Sequence, residues 1–520
     1  MATPAEKLAD SLETIQRLQE EGIVAIRTGE ISRLDRERLL YNGFLKEVTR
    51  GWYIIARPDE KKGDTTSWYH SYWNFCVRFL NEKFKQEWCI SAEQSVQLHA
   101  GNWSVPAQLL VKSPQANNFK TNLLFDTSLF AIRSELPITK ETVEINGIRL
   151  LSLPSALIHC SENSFASNST DARTALSMIT AASELLELLL DGGHSTIAGR
   201  LAGALRNNGQ TKIADDIIKT MRSVGYDIRE TDPFKNKLSI QLSSREKSPY
   251  VNRIKLMWHA MRETIIQVFP ASPGLPADKD IYMSSVDKIF TTDAYHSLSI
   301  ERYKVTPELI ERVRSGAWNH KENEEDRKQK DAMAARGYWQ AFQQVEQSVR
   351  KILNGDNAGK VADNDHGDWY RELFAPSVAA GLLKASDLAG YRNNQVYIGN
   401  SKHTPLNKEA VREAMPTLFE LLQEEHEASV RAVLGHFIFV FIHPYMDGNG
   451  RMGRFLMNAM LASGGYPWTV IPVEMRDDYM NALESASVGQ NIKPLASFLA
   501  YLVHKGISGQ PIANLDKTGS

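Results

Sequence analysis

Between about residues 229 and 250 the sequence turns polar, "RETDPFKNKLSIQLSSREKSP", and the hydrophobic pattern changes across it. Before this stretch, strand-like pieces at 108–111 and 148–153 alternate with helical ones at 172–190 and 195–206. After it, from roughly residue 251, apolar residues recur almost wholly at helical spacing, broken by one short extended segment at 395–399. A chain with such a break folds as more than one body, and 520 residues exceed what one ordinary hydrophobic core supports. The expectation is an α/β N-terminal half, a linker at 231–250 and a mainly α C-terminal half.

Sixty basic residues against 62 acidic ones leave a formal net charge of -2, so no global field points to nucleic acid, a membrane or acidic partners. Cys76, Cys89 and Cys160 have no metal-ligand spacing, and an odd count fits no disulfide framework, which reads as a reducing compartment. The first 22 residues are polar and helix-patterned rather than leader-like, and the densest apolar run, 437–442, is too short to cross a bilayer. The expectation is a cytoplasmic chain without a membrane partner. The charged run "HKENEEDRKQKD" at 320–331 reads as a solvated helix face.

Leucine and isoleucine at helical spacing over 5–21, stopped by Gly22, predict a first helix. Ser32 caps a second helix that runs through Arg33, Arg36, Arg38 and Leu40 to Gly43. Segments 44–48 and 52–56 then read as two short strands joined through Arg50 and Gly51. Helix, helix, β-ribbon is the order of a winged helix. The stretch "GEISRLDRERLLYNGFLKEVTRGWYII" resembles the N-terminal winged helix of AbiEi-like antitoxin and regulator proteins. That resemblance implies DNA as a partner, with Arg33, Arg36 and Arg38 in a groove and Arg50 on the wing. Asp35, Glu37 and Glu47 dilute the charge, and a winged helix that contacts protein is the alternative.

The chemistry lies in "HPYMDGNGRMGR", residues 443–454, between an apolar helix at 430–442 and a helical stretch at 451–463. A loop ending in Gly448, Asn449 and Gly450 and opening a helix presents unpaired backbone N–H groups at the positive end of the helix dipole, an anion cradle. Arg451 and Arg454, three apart, share a helix face and can fork onto phosphate oxygens. Asp447 supplies one hard oxygen that suits Mg²⁺, whose other ligands come from phosphate and water. His443 leaves a rigid apolar helix at the mouth of this loop, where a near-neutral imidazole can take a proton from a hydroxyl.

This segment resembles the Fic signature, HPFx(D/E)GNGRxxR, with Tyr445 where Phe is usual. The resemblance implies an all-helical Fic domain with a β-hairpin flap, ATP as substrate and a target protein presenting Tyr, Thr or Ser. It also implies roles: His443 deprotonates the target hydroxyl, Asp447 holds the metal, Gly448, Asn449 and Gly450 hold the α- and β-phosphates, and Arg451 and Arg454 hold the β- and γ-phosphates. The intact GNG favours transfer of AMP over transfer of the γ-phosphate.

Three softer stretches accompany it. "YRNNQVYIGNSKHTPL", 391–406, resembles the Fic flap, with Gln395, Val396, Tyr397, Ile398 and Gly399 as a strand able to pair with an extended target segment. In "RDDYMNALESASVGQNIKPLASFLAYL", Tyr479 and Met480 fall where residues lie against the base, while Ser487 replaces a common Asn. "YHSLSIERYKVTPEL" resembles the Fic inhibitory segment, (S/T)xxxE(G/N), through Ser297 and Glu301, with Arg302 where Gly or Asn is expected. There Glu301 would pair with Arg454 and displace the γ-phosphate, and Thr306 and Pro307 start a new helix.

The expected division is a winged helix at 1–60, an α/β domain of unassigned role at 61–230, the linker at 231–250, a Fic domain with its inhibitory helix at 251–510 and a tail at 511–520. The expected activity is AMP transfer from ATP to protein, self-restrained through Glu301. The alternatives are a DNA-binding regulator of toxin–antitoxin type with a silent or nucleotide-sensing Fic domain, and an enzyme that removes AMP. The pattern leaves room for a homo-oligomer.

Overall fold

A computed structural model describes residues 3–61, 63–237, 242, 248–316 and 330–515. Most of the second half of the expected linker, and nearly all of the charged run at 320–331, lie outside the described residues. The chain forms two compact units: Met1–Arg253 with Tyr397–Thr404, and Ile254–Val396 with Pro405–Ser520.

The first unit mixes helices and strands. Helix Pro4–Glu20 is capped by Thr3, whose hydroxyl accepts from the Glu6 N–H while the Glu6 carboxylate takes the Thr3 N–H. Strands β1 (Ala25–Arg27), β2 (Leu45–Thr49) and β3 (Trp52–Ile55) form an antiparallel sheet of order β1-β3-β2, with helix Arg33–Tyr41 between β1 and β2. Side-chain alternation along β3 splits its burial between two clusters. Trp52 and Ile54 join Trp68, Tyr72 and Phe75, while Tyr53 joins Ile15, Leu18 and Leu39. Three residues are too few for β1 to show a period, so the strand that completes this sheet was invisible to patterning.

A second sheet has the order β4-β5-β7-β6, from β4 (Cys89–Ile90), β5 (Gln108–Ser113), β6 (Phe119–Asn122) and β7 (Ser128–Arg133), and only β5 and β7 run parallel. A hairpin of β8 (Thr142–Ile145) and β9 (Ile148–Leu151) follows. The single helix expected over 172–190 is two, Ser169–Ser177 and Ser183–Asp191. At the break, the Glu184 carboxylate accepts from the N–H groups of Thr180 and Ala181, just ahead of the second helix. The opening of the polar stretch is packed rather than free: the Thr231 N–H donates to the Gly199 carbonyl, and Arg206 pairs with Glu230 at 2.7 Å.

The second unit is helical: α1 (Pro249–Val268, which begins in the first unit), α2 (Lys279–Ile300), α3 (Pro307–Arg314), α4 (Lys330–Leu353), α5 (Ala358–Ala379), α6 (Lys408–Glu424), α7 (Ala428–Ile442), α8 (Asn449–Ala462), α9 (Arg476–Ser487) and α10 (Lys493–Ile507). Helix α7, "ASVRAVLGHFIFVFI", is apolar on nearly all sides and buried along its length, as such a helix must be. It packs against α8, and α4, α5 and α2 also contact α8. Gly453 permits the α7–α8 approach, since a Cβ there would lie 2.9 Å from both His436 Nδ1 and Val440 Cγ1.

Over 391–406, where a β-hairpin is expected, no strand forms. Side chains span the two arms instead of a backbone ladder: Gln395 Nε2 donates to the Val396 and Pro405 carbonyls at 3.1 and 2.8 Å. Pro405 has no N–H to give a ladder.

Where α4 crosses α5, a Cβ on Gly337 would lie 2.0 Å from the Leu373 carbonyl oxygen. Gly337→Val is expected to destabilise the chain by about 1–3 kcal/mol through overpacking, while Gly390→Ala, whose Cβ meets nothing within 4 Å, leaves stability unchanged. Denaturant unfolding of the two variants, followed by the signal of the helical unit, checks this.

Candidate functional site

Helix α7 ends at His443, whose backbone is left-handed at φ 57° and whose N–H closes the helix on Phe439 at 3.0 Å. Its Nδ1 lies 3.1 Å from the Val440 carbonyl, so the proton belongs on Nδ1 and Nε2 keeps a lone pair. Burial, with a lesser push from the Arg392 guanidinium, moves this imidazole down to about 4, against the smaller upward pulls of Val440, Glu301 and Asp447. At neutral pH the ring is an uncharged base.

The loop from His443 to α8 is shaped by its own side chains. Tyr445 is buried and stacks on Tyr370 with ring centroids 3.6 Å apart. Asn449 holds Tyr445 on both sides: Oδ1 accepts its N–H at 2.9 Å and Nδ2 donates to its carbonyl at 2.8 Å. Gly448 has φ +83°, and a Cβ there would come 2.9 Å from the Phe374 ring. The first helical bond runs from the Met452 N–H to the Gly448 carbonyl, so the N–H groups of Asn449, Gly450 and Arg451 have no intrahelical acceptor. Asp447 Oδ1 accepts the Gly448 N–H at 2.6 Å, and its side chain is 66% exposed.

Arg451 and Arg454 project from one face of α8 and are 1% and 3% exposed. Arg451 lies between the rings of Tyr303 and Phe374, at 5.2 and 5.1 Å, with Nη2 3.3 Å from Asp447 Oδ2. Arg454 is held from α2 and its end: Nε donates to Ser297 Oγ at 2.8 Å, and Nη2 to the Ser297 carbonyl at 3.0 Å and to Glu301 Oε1 at 2.8 Å. Burial opposes ionisation of Glu301, but the charges of Arg454 and Arg451 outweigh it and keep the carboxyl below its ordinary value. Glu301 also fills the cradle, since a Cβ on Gly450 would lie 2.2 Å from Glu301 Oε1.

Helix α2 stops at Ile300 with Glu301 as its C-cap. The Arg302 N–H donates to Ser299 and the Tyr303 N–H to Leu298, at 2.9 and 3.1 Å, which is the Schellman arrangement. Arg302 therefore takes the left-handed position, φ 66°, where glycine or asparagine is favoured. Thr306 caps α3, as expected, accepting from the Leu309 N–H.

Tyr479 is 1% exposed, and its hydroxyl lies 2.7 Å from Nε2 of buried His436, while Met480 beside it is half-buried. Ser487 turns its hydroxyl back to the Leu483 carbonyl. Of the flap residues, Gln395 and Val396 belong to the second unit, and Tyr397, Ile398 and Gly399 to the first, where the His70 ring meets Tyr397 edge-on at 4.1 Å. In the first unit Arg33 pairs with Glu37 at 2.8 Å, Arg36 lies over the Tyr53 ring, and Arg38 bonds the Lys7 carbonyl, Ser11 and Asp35. Arg50 is exposed at the β2–β3 turn.

Sequence reasoning missed Arg392, Tyr303 and Phe374. Arg392 lies directly before the polar "NNQ" and Tyr303 directly after Arg302, but neither position has a period or a pair to mark it.

Residues 366–461 match the model of the Fic/DOC family. Protein adenylyltransferase Fic of Drosophila virilis is 38% identical over 119 residues, 22% of this chain and 24% of that protein. Protein adenylyltransferase fic-1 of Caenorhabditis elegans is 33% identical over 167 residues, 31% of this chain and 30% of that protein. The chain thus spans less than a third of the length of either relative. A solved structure of C. elegans Fic-1, residues 134–508, is 15% identical with a TM-score of 0.37, covering 69% of this chain and 87% of that one. His443, the glycine loop and both arginines all lie within 366–461, the residues that match the Fic/DOC-family model.

Proposed function

We propose that this chain transfers the AMP moiety of ATP to a hydroxyl side chain of a protein and is restrained by Glu301. The observation that carries the reading is His443, whose Nδ1 faces Val440 so that Nε2 keeps the lone pair, on the loop that leads to the N–H groups at the start of α8, which lack an intrahelical acceptor, and to two buried arginines. The name protein adenylyltransferase borne by the two relatives agrees with it.

In this mechanism the N–H groups of α8 and the forked guanidinium groups of Arg451 and Arg454 hold the triphosphate. His443 Nε2 takes the proton of the target hydroxyl, and the hydroxyl oxygen bonds to the α-phosphorus. The bond from that phosphorus to the bridging oxygen breaks, and pyrophosphate leaves with the electron pair. Asp447 would hold a Mg²⁺ that draws its other ligands from phosphate and water: its carboxylate is exposed, with one oxygen on the Gly448 N–H and the other 3.3 Å from Arg451. Bound there, the ion would neutralise phosphate charge.

The Glu301–Arg454 pair supports restraint, because a guanidinium nitrogen committed to a carboxylate is withheld from phosphate. Removal of AMP from a modified protein is the reading to which Glu301 would otherwise point, and release of AMP from labelled protein tests it. DNA binding by a winged helix at 1–60 has less support, since Arg33, Arg36 and Arg38 are engaged within the unit. A cytoplasmic site agrees with three free, buried cysteines, and no helix among the described residues is long and apolar enough to cross a membrane.

His443→Ala is expected to slow AMP transfer about 10²–10⁴-fold while ATP binding survives, measured by radiolabel incorporation and by calorimetry. The base works deprotonated, so activity falls as pH drops through its pKa. With burial holding that value near 4, kcat/KM should persist well below pH 6.5, where an ordinary imidazole is half protonated. An acid limb centred near 6.5 would contradict the burial argument.

Glu301→Gly should raise the initial rate about tenfold or more, the return of freeing a charge-assisted hydrogen bond worth about 1.5–3 kcal/mol. Arg454→Ala should blunt that gain in a double-mutant cycle, because both changes act on one contact. Equal rates for the native chain and Glu301→Gly would make this contact structural only.

Arg302→Gly is expected to act the other way. Relief of a left-handed non-glycine residue should steady the end of α2 by about 1 kcal/mol and lower the residual rate. Thermal unfolding and the basal incorporation rate, compared with the native chain, check both effects.

A further inference from the structure

Beyond its lesser push on the His443 imidazole, Arg392 is 3% exposed and all three of its guanidinium nitrogens donate to main-chain carbonyls. Nε donates to the carbonyl of His443 at 2.8 Å, Nη1 to that of Asn394 at 2.8 Å, and Nη2 to that of Leu406. Its own N–H donates to the Pro444 carbonyl at 2.9 Å. One side chain therefore joins three stretches: the residues around Asn394, the chain at Leu406, and the backbone of His443.

Burying a guanidinium is costly, and ordinary loops do not spend one on carbonyl groups that water would satisfy. The planar fork supplies what a loop without a β ladder lacks, a fixed distance between its arms and a fixed distance to a third point. Residues 393–396 form no strand, so their placement depends on side chains such as Arg392 and Gln395. His443 does not depend on Arg392 in the same way. Its N–H is held by Phe439 and its ring by Val440, both within α7. Loss of Arg392 would free the segment and leave the base in place.

We propose that Arg392 is a positioning residue that ties residues 393–396 to the main chain of His443, so that a protein hydroxyl laid along them meets Nε2. This deepens the proposed AMP transfer and rests on it. Water reaching the same α-phosphorus needs His443 but not the segment, so the two acceptors should respond differently to Arg392. A Lys at 392 offers a point charge with one reach rather than a fork, and should restore the link only in part.

The test uses the full chain carrying Glu301→Gly, with radiolabelled ATP and Mg²⁺. Two products are followed: AMP attached to the chain itself, and free AMP from cleavage by water. Arg392→Gln should lower attachment to protein roughly 10–100-fold, as expected for a misplaced acceptor, while ATP binding and the rate of free AMP release stay within about threefold. Arg392→Lys should fall between, and hydrogen exchange should rise at 393–396 but not at 437–443. If Arg392→Gln does not fold, Arg392→Lys carries the same comparison. Equal loss of both products, or no loss of attachment, would overturn the positioning role. Absence of any AMP attachment by the parent Glu301→Gly chain would instead overturn the proposed AMP transfer.

Discussion

A guanidinium withdrawn from water has to be met by an anion or by carbonyl oxygens, and the buried helix α8 carries two of them, Arg451 and Arg454, on one face. Much of the site answers that requirement. Glu301 and Ser297 meet Arg454, while Asp447 and the rings of Tyr303 and Phe374 meet Arg451. A polyphosphate would satisfy the same donors. In the proposed reading these contacts are the ones a nucleotide would replace, and restraint would follow from the burial of charge rather than from an added device.

That arrangement requires α8 to start at one place and in one direction. The close packing of α7 on α8 across Gly453 sets the direction. The left-handed turns at His443 and Gly448, with Asn449 holding both sides of Tyr445, set the start. Asn449, which the signature would assign to phosphate, spends its side chain on the loop. What remains for phosphate at that position is backbone N–H. The imidazole of His443 is then held neutral by the same apolar surroundings that bury α7.

The Schellman end of α2 makes a similar point about regulation. A left-handed residue is needed after Glu301 so that the chain can turn back and lay Tyr303 over Arg451. Arginine meets that need at a conformational cost that glycine would avoid, so the chain has a weaker hold on Glu301 than the same backbone with glycine would have.

The sequence by itself determined the parts that depend on neighbours along the chain. The glycine loop, the paired arginines three apart, the apolar helix before His443 and the i,i+4 spacing of Ser297 and Glu301 are local patterns, and helix geometry turns each into a shared face or a terminus. The caps at Ser32 and Thr306 were legible for the same reason. Only the tertiary structure decided which groups meet across long separations. It put Glu301 on Arg454, 153 residues away, turned Tyr479 into the core against His436, and replaced the expected hairpin ladder with the carbonyl contacts of Arg392 and Gln395. It also engaged Arg33, Arg36 and Arg38 within the first unit. The physical reason is that a side chain's partner is chosen by packing: the same arginine serves a groove, a ring or a carboxylate according to what the fold brings within hydrogen-bond reach.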